Sequence, residues 1–409
     1  MINLLKGNPV IYVLSSSMKL PFYNNNYKAI DQFEDDSVRL TNIILRLTMV
    51  AWIIGKPSCY KLWLSERVYP IVPSIHLGFE APSWMHLFLF IAGLMLMLFL
   101  LLFPRKQLFL YLLLIVELLI CLLDETRWQA WEYQYLLTVV IFITNWRNIN
   151  RIIGLLAVLL ACTYIYSGIA KLNTQFVTVF WQINVLHTLL HLPMHITRNI
   201  SVHRMGYALP ITELIGGALF LIKRFRKLGV VLLILMHLFN LAVLGPFTLN
   251  YNSSVWSWNV VMIAYLYLIG FKLDKVQLNT IITKKSTLNL PMIVLIVVMP
   301  VFNFIDLWPH FLSFSLYSYK AKQLMITVNE NTTAAKELNP YFEIKSAEDS
   351  LNTRHIILHN WAMKEMNTPP FPEEGYYKKM KEAFMNKYPD AGARFYISQS
   401  QNTAFKEMK

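Results

Sequence analysis

The sequence predicts an all-α polytopic membrane helical bundle of about nine spans, N-terminus in and C-terminus out, with a small extracytoplasmic α+β domain at its C-terminal end. Three observations predict it. Of 409 residues, 56% are hydrophobic and 14% aromatic, too apolar a chain for an ordinary soluble enzyme. Nine predominantly apolar segments recur along it, and a span needs about 20 apolar residues, with shorter ones tolerated inside a bundle. The Lys and Arg residues behind the formal charge of +13 cluster in short loops between those segments. The positive-inside rule explains that clustering, so nucleic acid is not an expected partner; the lipid bilayer is.

Residues 1–40 read as a cytoplasmic N-terminal segment. Asp31, Glu34, Asp35 and Asp36 precede the first apolar stretch without a cleavable signal pattern, so the first span is expected to be retained. The bundle occupies 41–308, with spans near 41–55, 84–103, 107–123, 132–145, 152–172, 209–222, 228–246, 256–271 and 289–306. Loops 104–106, 146–151, 223–227 and 272–288 carry Arg105, Lys106, Arg147, Arg151, Lys223, Arg224, Arg226, Lys227, Lys272, Lys275, Lys284 and Lys285. The opposite side keeps half as many: Lys56, Lys61, Arg67, Arg127, Arg198 and Arg204. With nine spans, that bias puts the N-terminus in the cytoplasm and the C-terminus outside. Helical spans point to a bacterial inner membrane rather than an outer one.

From 309 to 409 the pattern changes. LSFSLYS and QLMITVN read as strands, HIILHNWAMKEM and FPEEGYYKKMKEAFMNKYPDAG as helices, and ARFYISQ as a last strand. Pro372 suits a helix start, and the two acids after it complement the helix dipole. Cys59, Cys121 and Cys162 are far apart and form no CxxC pair, which indicates neither a disulfide framework nor a redox dithiol.

Ionisable groups in membrane spans are functional candidates by default. Lys171 ends the fifth span. Asp124, Glu125, Arg127 and Gln129 lie between the third and fourth, and Glu132 and Gln134 open the fourth. Glu213 begins the sixth, His237 and Asn240 sit in the middle and outer half of the seventh, and Asn259 opens the eighth beside Trp256 and Trp258. All fall near one depth, so they are expected to line one outward-facing cavity. Plainer roles compete with this. Lys171 can snorkel to the interface, Arg127 and Asp124 can form a structural ion pair, and Trp256 and Trp258 suit an interfacial aromatic belt. Glu213 and His237 cannot snorkel easily, and each needs a partner. His187, His191 and His195, spaced four and four, would share one helical face, a zinc-ligating arrangement. Pro193 interrupts that pattern and no acid accompanies it; an interfacial amphipathic segment looks the same, and no metal is expected.

Four of these stretches together resemble a family. YSGIAKLN (166–173) resembles the signature of vitamin K-dependent gamma-carboxylase and the related HTTM (horizontally transferred transmembrane) proteins. LLDETRW (122–128), ITELIGGALFLIKRFRKLGVVLLILMHLFN (211–240) and WSWN (256–259) are similar to further family segments in the same order. The resemblance covers roughly 41–308. It implies that Lys171 is the base that deprotonates a reduced vitamin K-like quinol, since a desolvated lysine favours its neutral, basic form. Glu213 and His237 would be its catalytic companions; Asn240, Trp258 and Asn259 would position the cofactor, and Arg127 and Gln134 would close the rim. The chain departs from the carboxylase where Trp131, Glu132, Tyr133 and Gln134 stand in place of a histidine-containing stretch. Its outer region of about a hundred residues is also far smaller, which brings it closer to shorter bacterial HTTM-like and DoxX-like proteins. Three readings follow: a quinone- or lipid-binding membrane enzyme, an envelope transporter or assembly partner docking through its C-terminal domain, and a DoxX-like partner exchanging electrons with quinones.

Overall fold

A computed structural model of the chain describes residues 23–75, 78, 80–272, 289–316, 318, 320–345, 352–398 and 404–408. Each of the nine apolar segments is helical: α1 (Tyr23–Ser58), α2 (Ser83–Leu102), α3 (Gln107–Leu123), α4 (Ala130–Thr144), α5 (Ile149–Ala170), α6 (Ala208–Leu221), α7 (Arg226–Leu244), α8 (Ser254–Phe271) and α9 (Asn289–Ile305). Five helical stretches are long and apolar enough to cross a membrane: Ser37–Ser58 within α1, and α2, α5, α7 and α8. Helices α3 and α9 are shorter apolar helices.

One boundary differs from the sequence reading. Helix α1 runs through residue 40 without a break, because nothing between Tyr23 and Pro57 interrupts it. Most of the basic loop after the eighth span, residues 273–288, lies outside the described residues, as do residues 1–22 of the N-terminal segment. At the far end the reading holds closely: α9 widens into π-helical turns over Val294–Val298, tightens around Pro300, and stops where Asp306 turns left-handed at φ 58°.

The packing follows from which helices are apolar all round. Helix α4 is buried at every position except Val140 and Thr144, and α5 is also largely enclosed. The others close around this pair: α2 rests on α1 and α3, α6 on α5 and α7, and α8 on α7 and α1. At fifteen residues α4 is too short to span alone, but protein rather than lipid surrounds it. Glycine sets the closest approach. A Cβ on Gly168 would lie 2.9 Å from both the Leu214 nitrogen and the Pro210 oxygen. Small residues of this kind let helix backbones touch, and here they press the end of α5 against the start of α6.

The C-terminal region builds an antiparallel sheet in the order β2-β1-β3-β4 from β1 (Gln323–Asn329), β2 (Thr353–Ile357), β3 (Arg394–Ser398) and β4 (Lys406–Glu407). Leu324, Ile326, Val328, Ile356 and Phe395 are buried, and along β1 they alternate as a strand with one covered face requires. Helices α10 (Leu358–Met366) and α11 (Glu374–Lys387) supply Trp361, Met380 and Phe384 to the same core. Two expectations are corrected. Among its described residues LSFSLYS is not a strand: Phe311–Ser313 is one 3-10 turn, ended by a left-handed Phe314, and both Phe311, just ahead of the stretch, and Phe314 are buried. HIILHNWAMKEM is not one helix, because His355, Ile356 and Ile357 pair with β1, as β-branched residues favour, before α10 begins. A further helix, Thr333–Leu338, is capped by the Thr332 hydroxyl, which accepts from the Ala335 N–H.

This domain sits on the bundle's loops. Glu365 accepts from the backbone N–H groups of Val68 and Tyr69 at 2.6 and 3.0 Å and from Trp361 Nε1 at 2.8 Å. Lys379 donates to Glu125 at 2.7 Å, and the Tyr376 hydroxyl bonds those of Tyr69 and Thr126, each at 2.9 Å. Bundle and domain share one continuous hydrophobic core.

Candidate functional site

A cavity of about 190 Å³ lies where α5, α6, α7 and α8 meet the underside of the C-terminal domain. One buried water needs roughly 10–15 Å³ on the same measure, so the space suits a larger molecule. Lys171, Glu213, His237, Asn240, Trp258 and Asn259 all line it. The sequence placed these six at one depth, and the fold brings them around one space.

Lys171 is the residue that closes α5, and Asn173 caps the next helical turn by accepting from the Phe176 N–H at 2.8 Å. With Gly168 holding α6 close, Lys171 Nζ meets Glu213 Oε2 at 2.7 Å, the two side chains only 11% and 7% exposed. Lys171 therefore turns inward to a carboxylate instead of snorkelling outward. His237 is held at both ring nitrogens, with Nε2 2.8 Å from the Tyr164 hydroxyl and Nδ1 2.7 Å from Asn259 Oδ1. The Asn259 amide nitrogen donates to the Val255 carbonyl at 2.8 Å, which leaves Oδ1 as an acceptor for His237. In the neutral ring, Nδ1–H then donates to Asn259 and Nε2 accepts from Tyr164. Asn240 donates to Met236 Sδ at 2.9 Å.

Two predicted rim residues stand elsewhere. Gln134 lies behind the wall: its Oε1 accepts from Trp258 Nε1 at 2.7 Å and its Nε2 donates to Met262 Sδ at 3.1 Å, so it touches the cavity only through these two lining residues. Arg127 is fully buried away from the cavity, donating to the carbonyls of Leu62, Ile120 and Trp63 at 3.0 Å each. Its Nε is 3.8 Å from Asp124, which also pairs with Arg67, so the structural reading of this residue fits its geometry. Trp256 donates to the Leu244 and Tyr251 carbonyls at 3.0 and 3.2 Å and braces a turn. The His187, His191 and His195 spacing does not become a helical face, because a π-helical stretch ends at Leu189 and His191 takes a left-handed φ of 54°. Among the described residues no three His, Cys, Asp or Glu side chains gather as a metal-binding group would require.

Sequence reasoning missed two things. The roof of the cavity comes from the C-terminal domain, which contributes Phe311, Phe314 and His359. His359 Nε2 meets the Tyr251 hydroxyl at 2.8 Å, and burial pulls this histidine down to about 4. No local signal announces such a roof. The second omission is Glu117, a carboxyl inside an otherwise apolar IVELLI run, which is visible in the sequence and pairs with Lys56 at 2.5 Å. Lys56, counted among the outer loop cations, is in fact fully buried.

Five helices are long and apolar enough to cross a membrane, and a mostly apolar cavity with a few polar side chains lies among the helices under the C-terminal domain. Comparison with protein-family models, with curated proteins and with solved structures gives no match.

Proposed function

We propose that the chain is a multi-pass protein of a bacterial inner membrane whose cavity binds a lipophilic molecule with a polar, quinone-like head, and that Lys171 serves there as a proton acceptor. The observation that carries this reading is the pairing of Lys171 with Glu213 at 2.7 Å inside a cavity otherwise walled by aromatic and apolar side chains. Such pockets, mostly apolar with a few convergent polar groups, are the usual form of small-molecule sites. The four motifs that resemble HTTM proteins support the same reading, since two of them supply Lys171 and Glu213.

The nine-span topology with the C-terminal domain outside gains support from burial. Arg105, Lys106, Arg147, Lys223, Arg224 and Lys227 are all exposed in the loops assigned to the cytoplasm. On the other side Lys56, Arg67 and Arg127 are buried and held by partners. Discounting those three, and the buried Arg226 of loop 223–227, still leaves the bias steeper.

The residues present fit a hydroquinone, which supplies an acidic hydroxyl when bound. Lys171 accepts a proton only as a neutral amine, and Glu213 Oε2, 2.7 Å away, is placed to hold the proton that Nζ gives up. His237, fixed by Tyr164 and Asn259, orients a polar head, and Phe311 and Phe314 cover it with apolar surface. The transporter or assembly-partner reading is weaker, because one face of the C-terminal domain is already occupied by the chain's own loops. An electron-exchanging role would share the same ligand.

The test is mass spectrometry of lipophiles that co-purify with the full chain. A quinone-like molecule is expected with the wild type and is expected to fall at least tenfold in Lys171→Ala and Glu213→Gln. Full retention of ligand and activity in both Lys171→Ala and Lys171→Arg would reduce Lys171 to an anchor.

A further inference from the structure

We propose that Lys56, Glu117 and Glu132 form a proton-binding site inside the bundle, in which the two glutamates hold one proton between them beside the lysine. This cluster is separate from the cavity and takes a different ligand. The three groups come from α1, α3 and α4, and each side chain is 0% exposed. Lys56 Nζ donates to Glu117 Oε2 at 2.5 Å, lies 3.8 Å from Glu132 Oε1, and sits 3.6 Å above the centre of the Trp63 ring. Trp52 Nε1 donates to Glu132 Oε2 at 2.7 Å. One oxygen of each carboxyl is thereby satisfied.

The other oxygens carry the argument. Glu117 Oε1 and Glu132 Oε1 are buried with no hydrogen-bond donor, and the single ammonium of Lys56 stands between the two carboxyl groups, 2.5 Å from one and 3.8 Å from the other. Two ionised carboxylates around one ammonium leave an unbalanced negative charge in a fully buried cluster, and both are acceptors only, so like charges this near in a low dielectric do not both persist. A single proton held by the pair removes that excess charge and gives one of the carboxyls a donor. No approach is open from α2, where a Cβ on Gly93 would stand 2.5 Å from Glu117 Oε1.

The surrounding ionisable groups do not provide the missing donor. Cys59 just after α1, Cys121 on α3 and Tyr135 on α4 lie near the cluster. Arg127 is the next cation, but its guanidinium donates to the Leu62, Ile120 and Trp63 carbonyls, contacts His86 at 2.8 Å and faces Asp124. Arg67 is likewise bound to Asp124 and to backbone carbonyls. These cations balance charge at a distance and bring no hydrogen to Glu117 Oε1 or Glu132 Oε1. Because the proton belongs to the pair, neither glutamate alone is its owner. Trp63, over which Lys56 lies, packs edge-on to Trp131 at 5.9 Å, and Trp131 lines the cavity, so these two indoles stand between the cluster and the cavity.

Infrared spectroscopy of the full chain in bilayers at neutral pH tests this directly. The wild type is expected to show a carbonyl stretching band of a protonated carboxyl, shifted by isotopic labelling of glutamate carboxyl carbons. Glu117→Gln and Glu132→Gln are each expected to abolish it, and Glu213→Gln to leave it intact. Trp52→Phe, a milder change that removes only the donor to Glu132, is expected to shift the band without deleting it, which keeps the test valid if a glutamine variant does not fold. A wild type without the band, a band that survives both glutamine substitutions, or a band insensitive to Trp52→Phe overturns the proposal.

Discussion

Two lysine–glutamate pairs lie within the bundle, and they are built for different ends. At Lys171 one ammonium meets one carboxylate at the edge of a cavity, with slight exposure on both sides. At Lys56 one ammonium meets two carboxyls, all fully buried under two tryptophans. The first arrangement leaves its groups in reach of a ligand; the second seals them from everything except one another. Access, rather than residue type, separates a candidate reaction site from a closed proton site.

The sharpest way to break this contrast is to delete each lysine. Removing one partner of a buried pair strands a charge and costs about 3–5 kcal/mol. Lys56→Ala is expected to lose that much in reversible unfolding experiments, or to take up a second proton and lose somewhat less. Lys171→Ala, beside a cavity that admits water, is expected to lose about 1–3 kcal/mol. Equal losses for the two variants would remove the distinction drawn here.

The same contrast explains what could be read in advance. Lys171, Glu213, His237 and Asn259 were legible because helical spans convert sequence position into depth, and groups at one depth meet if their helices touch. Gly168 is what makes α5 and α6 touch, and it stands in the same YSGIAKLN stretch as the lysine. Lys56 was illegible because IIGKPSCYK reads as the end of a span entering a loop, whereas its partner lies 61 residues away on another helix. The roof was illegible for a related reason. LSFSLYS has the period of a strand, and only docking on the bundle turns Phe311 and Phe314 inward. Arg127 shows the converse error, since a charged residue at the right depth can be used up by backbone carbonyls.

Two glycines sharpen the comparison at a smaller scale. Gly168→Ala drives a Cβ to 2.9 Å from α6 backbone atoms, which cannot yield as a side chain can. Overpacking of this kind costs about 1–3 kcal/mol, and it should pull Lys171 away from Glu213, so ligand retention is expected to fall with stability. Gly93→Ala meets only the end of the Glu117 side chain, at 2.5 Å. It is expected to perturb the protonated-carboxyl band while leaving ligand content unchanged. Loss of ligand in Gly93→Ala would mean that the two sites are mechanically linked through Trp131.

The smallest effects belong to the roof. Burial holds His359 down to about 4, well below the usual histidine range near 6.5. Between those two values the unfolded chain binds a proton that the folded chain does not, so stability falls as the pH drops from about 6.5 towards 4, and above 6.5 this group adds no pH dependence. His359→Gln is expected to flatten that part of the melting-temperature profile. Tyr251→Phe removes the 2.8 Å hydrogen bond between roof and bundle and is expected to cost about 0.5–1.5 kcal/mol, with the acid sensitivity retained because the imidazole stays buried. If Tyr251→Phe also erased the acid sensitivity, the hydrogen bond rather than burial would be what keeps His359 neutral, and the roof would be latched by that single contact.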